Sequence, residues 1–158
     1  MDIKIRRAES IHSAGVLRLL QQIAEYHHLG RPDIFKAGAS KYNEDELAVM
    51  FDDADRPVFV AVDDAGTVIG YCFCQIHRNA GHAVINDFST LFIDDFCVDT
   101  SCRGRGIGHR LFNEVKEYAK GIGVYYIDLN VWEFNESAIK FYTKCGFSTQ
   151  KRKMELIL

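Results

Sequence analysis

Two hydrophobic periods alternate along this chain of 158 residues, and that alternation constrains its fold more than any other feature. Residues 58–62 form a short apolar run typical of a buried strand, whereas residues 106–120 carry apolar side chains at helical spacing. Segments of both kinds follow one another along the chain, without an internal repeat or a low-complexity linker. Such alternation is typical of a mixed α/β architecture.

The predicted elements follow the order β-α-α-β-β-β-α-β-α-β. Asn43 and Glu46 form a capping-box signature at the start of the second helix, and Gly146 is expected to end the last helix. The predicted helices cover residues 14–26, 43–52, 106–120 and 137–144. The predicted strands cover residues 3–6, 58–62, 68–76, 88–98 and 124–131, with one or two more from Phe147 onward.

Composition narrows the class of protein. With 47% hydrophobic and 26% charged residues, the chain is predicted to form a single globular domain, residues 1–158. Its longest apolar runs hold about five residues, far fewer than the ~18–20 of a membrane helix. The N-terminal sequence has no apolar stretch of the signal-peptide type. We therefore expect a cytoplasmic protein without a membrane partner.

Charge and cysteine content argue against three further classes of protein, namely nucleic-acid-binding proteins, disulfide scaffolds and zinc proteins. The formal net charge of −3 argues against the basic face that nucleic-acid binding requires, so no nucleic-acid partner is expected. The five cysteines are odd in number and have no CxxC spacing, which argues against a disulfide scaffold. No Cys/His cluster has zinc spacing, and we expect no metal.

A glycine-rich turn joins the predicted strand 88–98 to the following helix. Its residues 103–108 read Arg-Gly-Arg-Gly-Ile-Gly. Glycines let the backbone bend tightly and bring its N–H groups close to a ligand, and the helix start adds a positive dipole end. With Arg103 and Arg105, these features suit a diphosphate. An ordinary strand-to-helix turn remains an alternative, since the pattern matches neither the G-x-G-x-x-G fingerprint nor the P-loop.

Two signatures together resemble one known family. Arg103-x-x-Gly106-x-Gly108, after a strand ending at Val98, resembles the acyl-CoA loop of the GNAT superfamily of N-acetyltransferases. Residues 135–147 are similar to the second signature of that superfamily, a helix that carries a tyrosine and closes at Gly-Phe. Their order and the chain length identify the sequence as a member of this superfamily.

The resemblance implies an α/β fold with a mixed, mostly antiparallel sheet, splayed between two central parallel strands, 88–98 and 124–131, and flanked by about four helices. Acetyl-CoA would lie in the opening. Backbone N–H groups of the loop would bind its pyrophosphate, and its pantetheine arm would pair with the preceding strand. The coenzyme-binding residues so implied are Phe96, Cys97, Val98, Arg103, Gly104, Arg105, Gly106, Ile107, Gly108, His109, Asn135 and Lys144.

The chemistry of acetyl transfer assigns roles to two residues. Attack on a thioester needs a neutral amine, a donor for the developing oxyanion and an acid for the departing thiolate. The resemblance implies Tyr142 as the acid, because a phenol with a pKa of ~10 stays protonated at neutral pH. Asp94 is the candidate base, acting through water, and would also attract a cationic acceptor. In a regular strand Asp95 would point to the opposite face, although a bulge could exchange the two.

The acceptor side is indicated less sharply. Asp94-Asp95-Phe96 and Tyr26 resemble the spermidine/spermine-type acetyltransferases, and Tyr26, His27 and Asp94 are the predicted acceptor-binding residues. Cys97 lacks an evident base partner, so direct transfer is expected rather than a covalent intermediate.

The predicted function is therefore acetyl-CoA-dependent N-acetylation of a primary amine on a small, cationic acceptor. A protein or peptide acceptor and a non-catalytic acyl-CoA-binding module remain alternatives. The resemblance also implies a homodimer.

Overall fold

Five strands form one sheet in the computed structural model, which describes residues 2–158. The strands are β1 (Lys4–Arg7), β2 (Val58–Val62), β3 (Val68–Asn79), β4 (Phe88–Val98) and β5 (Tyr126–Leu129). The helices are α1 (Ser13–Gly30), α2 (Glu44–Phe51), α3 (Ile107–Gly121) and α4 (Glu136–Lys144). Strands β1 to β4 are antiparallel neighbours in chain order, and β5 pairs parallel with β4.

Helices cover both faces of this sheet. Helices α1 and α2 pack on one face, against side chains that include Val60, Tyr71 and Phe73. Helix α3 packs on the other face, against Phe59 and Cys72. Strand β2 is therefore buried along its whole length, which explains why its sequence is a continuous apolar run rather than an alternating one.

Strands β4 and β5 stay together over only four residue pairs, from Thr90–Tyr126 to Ile93–Leu129. Strand β4 continues to Val98, whereas β5 ends at Leu129. The sheet is consequently open between the two parallel strands. This confirms the predicted mixed, mostly antiparallel sheet, and four α-helices flank it within residues 2–158.

The structure differs from the predicted elements at several boundaries and after residue 147. Helix α1 continues to Gly30 instead of residue 26, β3 continues to Asn79 instead of residue 76, and β5 is shorter than the predicted 124–131. The strand predicted after Phe147 is not formed. Residues 148–158 are exposed and make no backbone hydrogen bond to any other part of residues 2–158. A strand needs a hydrogen-bonded neighbour, and this segment has none within the described chain.

The capping box at the start of α2 is confirmed. The Asn43 side chain accepts a hydrogen bond from the Glu46 amide, and the Glu46 carboxylate accepts one from the Asn43 amide, both at 2.9 Å. No helix in the described part of the chain combines the length and the apolarity needed to cross a lipid bilayer.

Helix α1 approaches β3 so closely that Gly15 has no room for a side chain. A Cβ atom at this position would lie 2.7 Å from Val68 Cβ, an atom fixed to the strand backbone. We expect Gly15→Ala to lower the free energy of unfolding by about 1 kcal/mol or more, because overpacking costs about 1–3 kcal/mol and exceeds the ~1 kcal/mol that alanine gains in a helix. Urea unfolding measures the change.

Gly121→Ala is the matched control, since a Cβ at this last residue of α3 meets no atom within 4 Å. It should leave the stability unchanged or raise it by up to about 1 kcal/mol. Equal destabilisation by both substitutions would contradict the close approach of α1 to β3.

Candidate active site

The glycine-rich loop presents a row of unpaired amides. Gly104 and Gly106 both have φ of 77°, in the left-handed region that favours glycine, and Gly106 is the N-cap of α3. The N–H groups of residues 104–109 have no acceptor within residues 2–158. Those of residues 107–109 belong to the first helical turn, which never has an internal partner, and the helix dipole adds positive potential there. The loop can therefore bind an anion through its backbone.

Contacts on both sides hold this loop in place. Arg103 Nε donates a hydrogen bond to the Val98 carbonyl at 3.1 Å, which ties the loop to the end of β4. Asp99 pairs with Arg18 of α1 and accepts hydrogen bonds from Ser101. Burial alone would raise the pKa of Asp99, but the hydrogen bonds from Arg18 and Ser101 lower it to about 2. Asp99 therefore stays ionised, and the start of the loop is anchored to α1.

Helix α4 closes the other side of the opening. A Cβ at Gly108 would lie 3.1 Å from the Phe141 ring, so α3 and α4 approach closely at the loop. The Phe96 ring lies 5.3 Å from that of Phe141 and 6.2 Å from that of Tyr142, between centroids. Burial raises the pKa of Tyr142 well above its usual value, with a smaller contribution from the charge of Asp95. The Tyr142 phenol is therefore protonated beside the divergent end of β4.

A bulge in β4 changes which carboxylates share a face. Phe73 of β3 faces Asp95 and Cys74 faces Ile93, so Asp94 has no partner in the β3 register. The bulge places Asp95 on the α1–α2 face, the face to which Cys97 also contributes. Asp94 reaches Lys41, in the segment between α1 and α2, at 2.9 Å. The regular-strand expectation that Asp95 points away from Asp94 is thus not met, because the extra residue reverses the alternation.

The two carboxylates have different surroundings. Asp94 is ion-paired with Lys41 and remains partly exposed. Asp95 is half-buried, and loss of water around its carboxylate raises its pKa to about 6, against an opposing effect of the Lys41 charge. The neighbouring negative charge of Asp94 adds to this rise. Asp95 can therefore take up or release a proton near neutral pH, as a general base must.

Tyr71 adds a buried hydroxyl to the same face. Its side chain is fully buried, and its Oη meets no acceptor at full hydrogen-bond geometry. Burial raises the pKa of this phenol well above its usual value, and the charge of Asp95 and a weak hydrogen bond to that carboxylate raise it further. The same contact opposes the rise in the pKa of Asp95, so the phenol and the carboxylate act on each other's ionisation.

The predicted acceptor residues Tyr26 and His27 lie at the end of α1, in an aromatic cluster with Phe35, Trp132 and Phe134. Tyr26 Oη lies 3.4 Å from Asn135 Oδ1, so α1 touches the N-cap of α4. His27 stacks on Phe35 at 5.1 Å, and burial lowers its pKa.

Two other predicted residues lie apart from this aromatic cluster. Lys144 is exposed at the end of α4 and makes no ion pair within residues 2–158. The Cys97 thiol is buried against the Leu19 carbonyl, and burial raises its pKa to about 12, so it is not a thiolate nucleophile.

Comparison with known proteins decides the family. Residues 20–147 match the family model described as "Acetyltransferase (GNAT) family". The chain belongs to the GNAT acetyltransferase family. It is 36% identical over 152 residues to glucosamine 6-phosphate N-acetyltransferase 1 of Oryza sativa subsp. japonica, covering 91% of this chain and 79% of the relative.

Two further relatives cover all or nearly all of this chain. It is 26% identical over 158 residues to the glucosamine 6-phosphate N-acetyltransferase of Trypanosoma brucei brucei, covering 100% of this chain and 97% of the relative. The crystal structure of a mutant of the BH1408 protein from Bacillus halodurans superposes with a TM-score of 0.94 at 32% identity, covering 98% of this chain and 99% of that one. This GNAT protein is therefore an N-acetyltransferase that uses acetyl-CoA.

The residues of this GNAT chain fit acetyl-CoA. The coenzyme carries a pyrophosphate, and residues 104–109 offer unpaired amides at a helix start. Its pantetheine arm carries amide groups, and the stretch of β4 from Phe96 to Val98 lies beyond its pairing with β5. Both features follow from the backbone, so they hold whichever side chains line the cleft.

Sequence reasoning did not single out Lys41, Tyr71 and Phe35, which the structure brings close to the predicted site residues. Lys41 and Phe35 lie in the irregular segment between α1 and α2, which gives no periodic signal. Tyr71 looks like any core aromatic residue in its strand. Only the β3–β4 register, which pairs Tyr71 with Cys97, places it beside Asp95.

The raised pKa of Asp95 predicts a pH-dependent stability. Between about pH 4 and pH 6 the folded chain holds a proton on Asp95 that the unfolded chain has released, so this group lowers the stability as the pH rises through that window. Asp95→Asn should therefore stabilise the protein above about pH 7, on the order of 1–3 kcal/mol, and much less near pH 4. Urea unfolding at the two pH values measures both differences.

The exposed Asp52→Asn removes the same charge as a control and should change the stability little at either pH. An Asp95→Asn variant destabilised equally at both pH values would contradict the buried, proton-holding carboxyl group.

Proposed function

We propose that this N-acetyltransferase acetylates the primary amine of a small molecule whose ammonium group enters beside Asp94 and Asp95. The observation that supports this proposal is the β4 bulge, which turns Asp95 to the α1–α2 face, where Asp94 contacts Lys41, close to the point where the sheet opens. Two neighbouring carboxylates attract a cation, and one of them has a pKa near 6. Their placement supports a cationic amine as the acceptor.

The loop and the free part of β4 are proposed to hold acetyl-CoA. The amides of residues 104–109 bind the pyrophosphate, and Arg103 and Arg105 supply charge at its edge. Phe96, Cys97 and Val98 bind the pantetheine arm through their backbone, as an added strand would. Asn135 is proposed to contact the arm from the start of α4, and the exposed Lys144 is proposed to neutralise a phosphate. The bound coenzyme supplies the acetyl group as a reactive thioester.

Asp95 is the better placed of the two aspartates to accept the proton of the amine. An ammonium with a pKa of ~10 holds its proton more tightly than an ordinary carboxylate, so direct transfer is uphill. The pKa of about 6 reduces this difference for Asp95, and a water molecule between the two groups spreads the transfer over two steps. Asp94, ion-paired with Lys41, orients the ammonium.

Tyr142 is proposed as the acid that protonates the departing thiolate. Its phenol is kept protonated by burial, and its ring lies beside Phe96 at the divergent end of β4. Complete transfer from this phenol to a thiolate with a pKa of ~8.5 is uphill, so Tyr142 acts by donating a hydrogen bond to the sulfur as negative charge develops there in the transition state.

Lys41 favours a second acceptor class, an amine that also carries an anion. The rice and trypanosome relatives are named for glucosamine 6-phosphate, which has both an amino group and a phosphate. Lys41 lies beside Asp94 and is partly exposed, so it could bind such a phosphate while Asp95 faces the amine. Two alternatives remain: a peptide acceptor, and an acyl-CoA-binding module without turnover. An activity assay distinguishes both from acetylation of a small amine.

The loop assignment predicts that Gly106→Ala weakens acetyl-CoA binding. Alanine at φ 77° costs about 1–2 kcal/mol, and relaxation of this strain turns the amides of the loop away from their common direction. Because hydrogen bonds to charged groups contribute about 1.5–3 kcal/mol, we expect affinity to fall at least about tenfold. Isothermal titration calorimetry with acetyl-CoA measures the loss.

Gly123→Ala is the matched control, because Gly123 has φ of 71° and open space around it but lies after α3, away from the loop. It should destabilise the protein to a similar degree and leave acetyl-CoA affinity within twofold. Unchanged affinity of the Gly106→Ala variant would contradict the assignment of the pyrophosphate to this loop.

Turnover tests the function itself. Release of free thiol from acetyl-CoA is measured over a panel that includes spermidine, an aminoglycoside, glucosamine 6-phosphate and lysine peptides. We expect turnover with a small amine and a roughly 10²-fold lower kcat for Tyr142→Phe, which loses the acid but keeps the ring packing. Acetyl-CoA affinity should stay within about threefold of the original.

Tyr118→Phe provides the matched control, because Tyr118 packs on Phe59 on the face of the sheet that α3 covers. The activity of this variant should remain unchanged. Full turnover by Tyr142→Phe would exclude that residue as the acid. Tight acetyl-CoA binding without turnover on any amine or peptide would favour the non-catalytic module.

A further inference from the structure

The hydroxyl of Tyr71 is enclosed in the protein beside Asp95. Tyr71 lies in β3 and is fully buried, so its Oη atom is shielded from water. In the β3–β4 register Tyr71 faces Cys97, and Phe73, two residues further along β3, faces Asp95. The Phe73 ring stands edge-on to the Tyr71 ring at 5.1 Å between centroids and packs against it. Since a buried donor needs an acceptor, the hydroxyl donates to the Asp95 carboxylate, although the contact is weak.

Two donors act on the Asp95 carboxylate from within the protein. Burial raises the pKa of Asp95, and hydrogen bonds from the Tyr71 hydroxyl and the Phe96 backbone N–H oppose this rise. A donor favours the ionised form, because it binds the charged oxygen more strongly than the neutral one. A carboxylate offers about four lone-pair sites on its two oxygens, so these donors leave sites for an amine or a water molecule.

We propose that Tyr71 is a positioning residue for Asp95, whose carboxylate it holds so that a free oxygen faces the incoming amine. This role of Tyr71 depends on the proposed role of Asp95 as the proton acceptor. An aspartate side chain rotates about two bonds, and a hydrogen bond from a donor fixed in the sheet restricts that rotation. The donor is fixed because β3 pairs on both sides, with β2 and with β4. When the N–H bond of the amine breaks, its proton passes through water to Asp95, and Tyr71 keeps its own.

Asp95 lies between two phenols with different parts in this scheme. Its charge raises the pKa of both Tyr71 and Tyr142, so both lie within its electrostatic reach. Tyr71 belongs to an inner strand, whereas Tyr142 belongs to α4 and its ring lies 6.2 Å from that of Phe96 at the divergent end of β4. We therefore expect Tyr71 to act through Asp95 alone, whereas Tyr142 is proposed to act at the sulfur.

The groups that surround Asp95 decide whether its titration can be followed. They are Lys41 from the segment between α1 and α2, Tyr71 and Cys72 from β3, Tyr142 from α4, and Asp94 and Cys97 from β4 itself. The pKa values of the lysine, the two phenols and the two thiols are all raised, so the lysine stays a cation and the other four stay neutral near pH 6. Asp94 is held in its ion pair with Lys41.

Carbon NMR of the Asp95 carboxyl group measures this ionisation without acetyl transfer, and Asp95→Asn identifies the signal by deleting it. Tyr71→Phe keeps the ring and removes one donor to the charged form. It should therefore raise the pKa of Asp95 from about 6 by about one. An unchanged pKa would overturn the proposal.

Tyr118→Phe is the matched control, because it removes a phenol hydroxyl on the face of the sheet that α3 covers. The pKa of Asp95 should stay the same in this variant. Circular dichroism verifies that both variants are folded. An equal rise in both variants would show a general loosening of the fold and would overturn the proposal.

The pH profile of kcat/KM separates a positioning role from a purely structural one. For Tyr71→Phe, with the pKa of Asp95 raised by about one, kcat/KM should fall about fivefold at pH 6 and recover above about pH 8. Tyr142→Phe should instead lower kcat at every pH without moving the profile. A loss of the same size at every pH in Tyr71→Phe would show a purely structural role and overturn the proposal.

The two measurements also separate this proposal from the function on which it rests. A raised pKa in Tyr71→Phe with an unchanged kcat/KM profile would overturn Asp95 as the proton acceptor, and the positioning role with it. Absence of turnover on every amine would overturn the proposed function. The NMR titration alone would then decide whether Tyr71 holds the Asp95 carboxylate.

Discussion

The early end of the β4–β5 pairing is the constraint on which the site depends. Parallel strands that stayed paired to Val98 would fill the opening with their own hydrogen bonds. Because the register stops at Ile93–Leu129, the last part of β4 keeps its backbone available, and α4 lies across the gap with Tyr142 at its edge. The cleft is therefore a property of strand length, and the identities of most side chains around it are secondary.

The bulge at Asp94 is the second constraint, and it acts on chemistry rather than on shape. One extra residue in β4 moves Asp95 onto the face that carries Tyr71 and Phe73, where the carboxylate loses water. The same insertion leaves Asp94 near Lys41. Two adjacent residues of one type thus acquire different surroundings, one ion-paired and partly exposed and the other packed against buried side chains.

Much of the fold, and the glycine-rich loop before α3, could be predicted from the sequence. Strands β2 and β4 have the predicted bounds, because a continuous apolar run and a long patterned segment both give strong periodic signals. The loop was recognisable since left-handed glycines leave a spacing in the sequence, at Gly104 and Gly106.

The surroundings of Asp94 and Asp95 were harder to predict for a physical reason. The face to which Asp95 points depends on a register shift between β3 and β4, and the position of Lys41 depends on the irregular segment between α1 and α2. Neither a register shift nor an irregular segment produces a hydrophobic period in the sequence. The strand predicted after Phe147 was wrong for a related reason, because a local preference for strand forms none where no hydrogen-bonded neighbour is present within residues 2–158.

The ion pair between Arg18 and Asp99 has a consequence for how α1 and the glycine-rich loop are held relative to each other. Arg18 belongs to the helix that carries Tyr26 and His27, and Asp99 lies where the loop begins, 81 residues further along the chain. The same guanidinium also donates a hydrogen bond to the Val68 carbonyl of β3 at 2.8 Å. One side chain thus joins three elements that are distant in the sequence, so a substitution of Arg18 would alter the geometry on both sides of the cleft without removing a residue that is proposed to bind either substrate.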